Sequence, residues 1–401
     1  MIDATRVAEI LNTYTYVTPT VRLPLLAAVG RVLREELRAK GDSPPFDKAA
    51  MDGYALRSHD LGGGSGAGEI ANGLSEFAII GRLGAGDVPQ AEVGPGQCVQ
   101  IMTGAMMPAG ADKVVRVEYT ERVGDRVRIT QAEPNINVIY AGENRKAGEL
   151  VLSVPCKLRP QDIAVLASHG ISEVLVAEPV RVGVISTGSE LLSPGEPPAP
   201  GKIYDSNAYQ IAAYCAELGL PYINYGTVGD DPDAIRQTYE RALAENDMVI
   251  SSGGVSMGEF DYVPSVLREI GAELLFHSIA FKPGKSTLFA RRGNTCVFGL
   301  AGNPAASVVL FRVLVEPTLY RMMGLEPQDF RFRGTLREDI RRSGARRKEF
   351  RPAFYHEGQI QTLRYGGSSH MDAFADANCV IELDVGVTEL KAGEEIYVRP
   401  L

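Results

Sequence analysis

The sequence predicts an α/β architecture joined to mostly-β regions in one multidomain chain. Three observations lead there. Between residues 178 and 325, apolar strands alternate with helical segments, the pattern of a parallel sheet covered on both faces. Residues 41–144 instead carry short strands broken by Gly-rich turns, and residues 326–401 return to strands that suit a small β-barrel. The length of 401 residues allows two to four domains at roughly 100–200 residues each. The expected organisation is a helical and linker domain (1–40 with 145–177), a β-rich domain (41–144), an α/β domain (178–325) and a C-terminal β-barrel (326–401). No internal repeat is visible.

Each element has a local reason. Asp3 is a natural cap before Val7, Ile10 and Leu11, and Pro24 suits the first turn of a second helix carrying Leu26, Val29 and Leu33. Val114 to Thr120 and Arg126 to Thr130, joined across Gly124-Asp125, read as a hairpin. The Gly/Ser-rich stretch Leu61 to Gly68 reads as a mobile loop, and Gln161 to Ser168 as a helix. In the α/β region the strands are Val180–Ile185, Met248–Ser251 and Cys296–Leu300. The helices are Ala208–Leu218, Pro232–Leu243, Tyr262–Ile270 and Pro304–Met322. The chain closes with strands Cys379–Leu383 and Glu395–Val398.

Composition removes several function classes. Lys plus Arg number 41 against 50 Asp plus Glu, and a net charge of −9 disfavours a nucleic-acid binder. Five cysteines, at least 58 residues apart, and five scattered histidines offer neither zinc spacing nor a disulfide framework. No stretch reaches the roughly 18 apolar residues of a membrane span, and MIDATR has no signal core. The expectation is a soluble, cytoplasmic protein with no membrane or nucleic-acid partner.

Ligands of open parallel sheets sit beyond the carboxyl ends of the strands. Three small-residue turns occupy that place: Ser186-Thr187-Gly188-Ser189-Glu190, Ser251 to Ser256 with Gly253-Gly254, and Gly299 to Pro304 with Asn303. Such turns let backbone N–H groups approach an anion, although each alone equally describes a tight strand-to-helix connection. Lys282-Pro283-Gly284-Lys285 places two ammonium groups about a rigid turn, suited to an oxyanion. Glu190, Asp205, Asp230, Asp231 and Asp261 supply carboxylates, with Asp231 also a helix cap before Pro232. Carboxylates beside a phosphate pocket imply Mg²⁺. In the β-rich region, Asp52 and Thr103 are the polar residues of two dense turn motifs best suited to reaching a ligand.

The sequence resembles the molybdopterin molybdenumtransferase family, MoeA in bacteria and the gephyrin E domain in animals. The resemblance spans essentially the whole chain. It rests on PPFDKAAMDGYA (44–55), IMTGAMMP (101–108), STGSEL (186–191), IYDSN (203–207), DDPDA (230–234), SSGGVSMGEFDY (251–262), FKPGK (281–285) and GLAGNP (299–304). It implies an elongated homodimer of four-domain subunits, the 178–325 domain sharing its fold with the molybdopterin adenylyltransferases. The implied reaction takes adenylylated molybdopterin and molybdate, cleaves the pyrophosphate with Mg²⁺, releases AMP and leaves the metal on the dithiolene.

Carried onto this chain, the resemblance makes Asp52, Glu190, Asp230, Asp261, Lys282 and Lys285 catalytic, with Asp230 and Asp261 near the metal ion. Thr103, Ser186, Thr187, Gly188, Gly253, Gly254, Ser256, Asn303, Pro304 and Ser368 become substrate-binding. Asp52 and Thr103 would come from the partner subunit. An adenylyltransferase donor and molybdoenzyme acceptors are the implied protein partners. The chain departs from the family pattern at Lys48-Ala49, Ile139-Tyr140-Ala141, Ser189, Ser278, Ala301, Ala306 and Arg351-Pro352. Several of these are anion-binding positions, which leaves open a second reading, a catalytically weak relative serving as a dimeric binding scaffold.

Overall fold

A computed structural model describes residues 1–61, 76–256, 261–327 and 329–401. All but the first residue of the expected 61–68 loop, and residues 257–260 of the 251–262 motif, lie outside the described residues. The chain forms two compact units: Met1–Glu35 with Val154–Arg159 and Glu173–Leu401, and Glu36–Ser153 with Pro160–Ser172. Among the described residues no helix is long and apolar enough to cross a membrane.

The first unit is built on a six-stranded sheet. Its strands are β1 (Val182–Thr187), β2 (Tyr222–Val228), β3 (Met248–Ser252), β4 (Glu273–Phe276), β5 (Leu288–Arg292) and β6 (Thr295–Leu300), in the order β2-β1-β3-β6-β5-β4. The first four run parallel. β5 runs antiparallel to both of its neighbours, β6 and β4, so the sheet is mixed where alternation alone predicted a parallel one. The reason is local: β4 to β6 are joined without intervening helices, and Gly293-Asn294 forms a turn too short for a crossover.

Side-chain alternation along these strands feeds two cores. Val182, Val184, Met248, Ile250 and Phe298 meet helix α1 (Asn207–Glu217) and helix α4, which runs from Pro304 through a π turn at Phe311–Val315 to Met322. Ile185, Val249 and Val297 face the opposite way, onto α2 (Pro232–Glu245) and α3 (Val263–Glu269). All these strand residues are fully buried, each burial stabilising by about 1.5–3 kcal/mol.

The amino-terminal helix is present as Ala4–Tyr14, with Asp3 accepting from the Arg6 N–H at 2.8 Å. The second expected helix is not. Thr20–Pro24 is a strand paired with Glu173–Ala177, Leu25–Ala28 is a single 3₁₀ turn, and Val32–Leu33 is another short strand. Thr20 to Pro24 alternates exposed and half-buried residues, the period of a strand, while Leu26 and Val29 stay exposed and give a helix no face to bury.

The barrel closes in a ring: Lys348–His356, Gln359–Thr362, Phe332–Leu336, Glu395–Pro400, Cys379–Leu383 and back to Lys348–His356. Closure leaves no free edge in the ring. The short strand Phe281–Lys282 runs parallel to Lys348–His356 and sets Lys282 opposite Glu349.

The second unit holds another six-stranded sheet, in the order Lys113–Arg116, Gly53–Leu56, Gln97–Ile101, Glu76–Leu83, Arg126–Ile129, Thr120–Val123. The hairpin across Gly124-Asp125 exists, but its first strand is Thr120–Val123. Val114 and Val115 instead pair with Ala55 and Tyr54 at the edge of the sheet, where their buried side chains join two different hydrophobic cores. Pro160–Ser168 forms a helix in this unit.

Candidate functional site

Because β1, β3 and β6 are neighbours in parallel register, their three following turns share one edge of the sheet. The Gly253 N–H donates to Leu300 O at 3.1 Å, and Thr187 Oγ1 donates to Ser252 O at 3.4 Å. Gly253 and Gly254 have φ of +89° and +63°, the left-handed region. A Cβ on Gly253 would lie 2.3 Å from Thr187 O, and one on Gly254 2.7 Å from Thr187 Oγ1. Only glycine fits, and the exposed peptide edge becomes the natural place for an anion. The turn after β6 packs on this one, a Cβ at Gly302 falling 3.5 Å from Gly253 Cα. Ser186 is fully buried, and its Oγ has no partner among the described residues.

Asp230, in the turn after β2, is bonded to the turn after β1. Its Oδ2 accepts from the Ser189 N–H at 3.1 Å, and Ser189 Oγ accepts from the Asp230 N–H at 2.9 Å. Ser189, one of the departures from the family pattern, therefore locks this turn through its hydroxyl. Lys202 donates to Ser189 O. Asp231 caps α2 through the Asp233 N–H at 2.9 Å, the structural role its place before Pro232 suggests. Glu190 is exposed, its carboxylate folded over Gly188, and Asp261 is half-buried just before α3. Among the described residues no group of three or more His, Cys, Asp or Glu side chains could hold a metal ion.

A cleft of about 260 Å³ lies between the turn after β6 and the barrel, lined by Lys282, Lys285, Asn303, Arg347, Glu349, Tyr365 and Ser368 among others. Ser368 O accepts from the Ala305 N–H at 3.1 Å, seating the 366–369 segment on the start of α4 beside Asn303 and Pro304. Ser256 Oγ lies 3.2 Å from Ser286 Oγ. Glu349, only 3% exposed, receives Lys282 Nζ at 3.3 Å, Arg351 Nε at 2.8 Å and Arg342 Nη1 at 3.6 Å. Burial alone would raise this carboxyl, but Arg351 and Lys282 hold it below the usual glutamate range. Burial pushes the Tyr365 phenol up to about 12, and its hydroxyl has no partner among the described residues. Lys285 and Arg347 form no ion pair among the described residues, so a cationic surface remains for an oxyanion.

Asp52 and Thr103 form their own pair in the second unit. Asp52 Oδ1 accepts from the Thr103 N–H and Oγ1–H, both at 2.7 Å, and these bonds hold its carboxyl below the usual range. The departures nearby keep the local frame: Lys48-Ala49 pairs with Val138-Ile139, and the Ala141 N–H donates to Asp47 Oδ1 at 2.7 Å.

Sequence reasoning passed over Asn207, Arg347, Glu349 and Tyr365. Asn207 stood inside the IYDSN motif. The barrel residues gave no local sign, because strand pairing from 67 residues away brings Glu349 to Lys282.

Family models match along the chain in order. They are the MoeA N-terminal region (domain I and II) over residues 3–170, a probable molybdopterin binding domain over 183–321, and the MoeA C-terminal region (domain IV) over 333–401. The molybdopterin molybdenumtransferase of Staphylococcus aureus (strain Mu50) is 37% identical over 385 residues, covering 95% of this chain and 91% of its own. That of Staphylococcus epidermidis (strain ATCC 12228) is 35% identical over 383 residues, covering 94% and 90%. The crystal structure of the molybdopterin biosynthesis moeA protein from Pyrococcus horikoshii OT3 superposes over all of both chains with a TM-score of 0.84 at 30% identity. Three consecutive family models, relatives matched over nearly their full length, and a fold shared end to end place this chain in the MoeA family.

Proposed function

We propose that this chain is a molybdopterin molybdenumtransferase, using adenylylated molybdopterin and molybdate, cleaving the pyrophosphate to release AMP and leaving the metal on the dithiolene. The observation that carries the reading is the continuity of two anion sites in one unit: the glycine turns after β1, β3 and β6, and the Lys282–Ser368 cleft sharing the third turn. The Gly253-Gly254 turn, with Ser186, Thr187 and Gly188, receives the phosphates and nucleotide. Lys282 and Lys285, with Ser256, Asn303, Pro304 and Ser368 around them, hold the molybdate dianion against the dithiolene sulfurs. Holding both reactants in one frame converts a bimolecular encounter into an oriented one.

Mg²⁺ belongs to this reading in a limited way. The described residues offer no trio of protein ligands, so the donor set would suit an ion that takes only one or two protein carboxylates, the usual habit of Mg²⁺. Asp230 and Asp261 are the carboxylates that would hold it, with Glu190 next in the chain to Ser189, the residue bonded to Asp230. When bound, it supplies positive charge to the pyrophosphate and its leaving phosphate.

The proposed assembly is a homodimer, with Asp52 and Thr103 supplied by the partner subunit. Exposed Ile203, Tyr204, Tyr209, Tyr222 and Ile223, on edge strand β2, on α1 and on the ribbon before it, are the apolar residues offered to a second copy. The adenylyltransferase that makes the substrate and the molybdoenzymes that take the product are its proposed transient partners.

The test is AMP release from adenylylated molybdopterin, with and without molybdate and Mg²⁺, for wild type, Asp261→Ala and Lys282→Ala. Molybdate-dependent release that both substitutions abolish supports the assignment. No release from a folded wild-type protein refutes it and favours the scaffold reading.

A further inference from the structure

Asn207 occupies a place that none of the roles above uses. It begins α1, is 7% exposed, and donates from Nδ2 to two acceptors: Ser252 Oγ at 2.6 Å and Gly302 O at 2.9 Å. The amide orientation follows from chemistry, since the Gly302 carbonyl can only accept and must face the NH₂ group. Ser252 is the last residue of β3, directly before Gly253-Gly254. Gly302 lies between Ala301 and Asn303, both of which line the Lys282–Ser368 cleft. One side chain thus ties the phosphate turn to the wall of the oxyanion cleft. The helix that carries it is itself pinned, Asp205 Oδ1 accepting from the Ala208 N–H at 3.0 Å. The Gly253 N–H to Leu300 O bond joins the two turns where they leave the strands, and the amide adds a side-chain link farther out, from Ser252 to Gly302, that fixes their spacing there.

We infer that Asn207 is a positioning residue that sets the distance between the two anion half-sites, acting through Ser252 and Gly302 without touching either substrate. The inference rests on the functional reading above. It makes a distinctive demand: losing the tether leaves each half-site intact but misaligns them. Misplacement of reacting groups by about 1 Å costs on the order of 100-fold in rate.

The experiment compares wild type, Asn207→Ala and Ser252→Ala in the full-length protein. Three quantities are read: kcat for molybdate-dependent AMP release, the Kd of AMP alone, and the Kd of molybdate alone. For Asn207→Ala, kcat falls roughly 50- to 100-fold while both Kd values stay within about threefold. Ser252→Ala removes one of the two hydrogen bonds without placing a new polar group. It falls roughly five- to tenfold in kcat with AMP affinity unchanged, and decides the matter if Asn207→Ala does not fold. A kcat within threefold of wild type for the folded variants overturns the inference. So does an AMP Kd that rises as much as kcat falls, because that marks a direct ligand contact. Wild type that releases no AMP overturns the functional reading and this inference with it, whereas active wild type beside equally active variants overturns this inference alone.

Discussion

Replacing Gly253 by alanine tests the architecture of the phosphate turn most directly. The residue sits at φ +89°, where an L side chain costs about 1–2 kcal/mol. Its Cβ would stand 2.3 Å from Thr187 O, a backbone atom held in β1 between two neighbouring strands. Relief requires moving the turn or the strand end by about 1 Å, and overpacking of this kind costs about 1–3 kcal/mol. The sum is about 2–5 kcal/mol, which lowers the unfolding midpoint of the α/β core by roughly 5–15 °C. Gly219→Ala is the control. Gly219 shares a positive φ of +69°, but a Cβ there meets nothing within 4 Å, leaving only the backbone cost of about 1–2 kcal/mol. Thermal unfolding by circular dichroism, together with AMP binding, reads both variants. Gly253→Ala loses AMP binding and more stability than Gly219→Ala. Equal midpoints for the two, or Gly253→Ala binding AMP as wild type does, would refute the close approach of the turn to β1.

Other outcomes follow from the same geometry. Glu349→Ala leaves Lys282, Arg342 and Arg351 facing one another in a buried site and destabilises by about 3–5 kcal/mol, whereas Lys282→Ala leaves Glu349 two cations and costs less; denaturant unfolding of both variants checks the order. Glu382 behaves alike on the barrel's other strands: burial would raise its carboxyl, but Arg399 and Lys348 hold it low. A carboxyl lowered in the folded state contributes stability that is complete above the ordinary glutamate value of 4.5 and drains away as pH falls through the lowered one. The unfolding midpoint therefore drops below about pH 4.5, and Glu382→Gln flattens that drop. By NMR titration, the Asp52 carboxyl ends below the ordinary aspartate range and moves upward in Thr103→Val, which keeps the backbone N–H bond but loses the hydroxyl. Burial pushes the thiols of Cys98, Cys215 and Cys379 up to about 12 and that of Cys296 to about 11, so mass spectrometry after alkylation at pH 8 finds half-buried Cys156 modified first.

The sequence by itself determined what depends on neighbours in the chain. Asp3 before an apolar 3.6-residue period marked the first helix, and Asp231-Pro232 marked the start of α2. Turns of small residues after apolar strands marked the sheet edge where a ligand sits, because strand, turn and helix are contiguous there. Ordered motifs then carried the family across the whole chain. Where a segment suits two conformations, local reasoning went astray: Pro24 opens helices well, yet Thr20–Pro24 is a strand because Glu173–Ala177, about 150 residues later, pairs with it.

Only the tertiary structure decided which polar groups share a cavity. Glu349 reaches Lys282 through parallel pairing of a short strand with the barrel, and Ser368 reaches α4 through one backbone bond to Ala305. Asn207 looks like a helix-start residue in sequence, and becomes a tether only when β3 and the turn after β6 converge on its amide. Such contacts join residues 45 to 95 positions apart. Their energy comes from burial and pairing across the fold, a quantity that no local window of sequence contains.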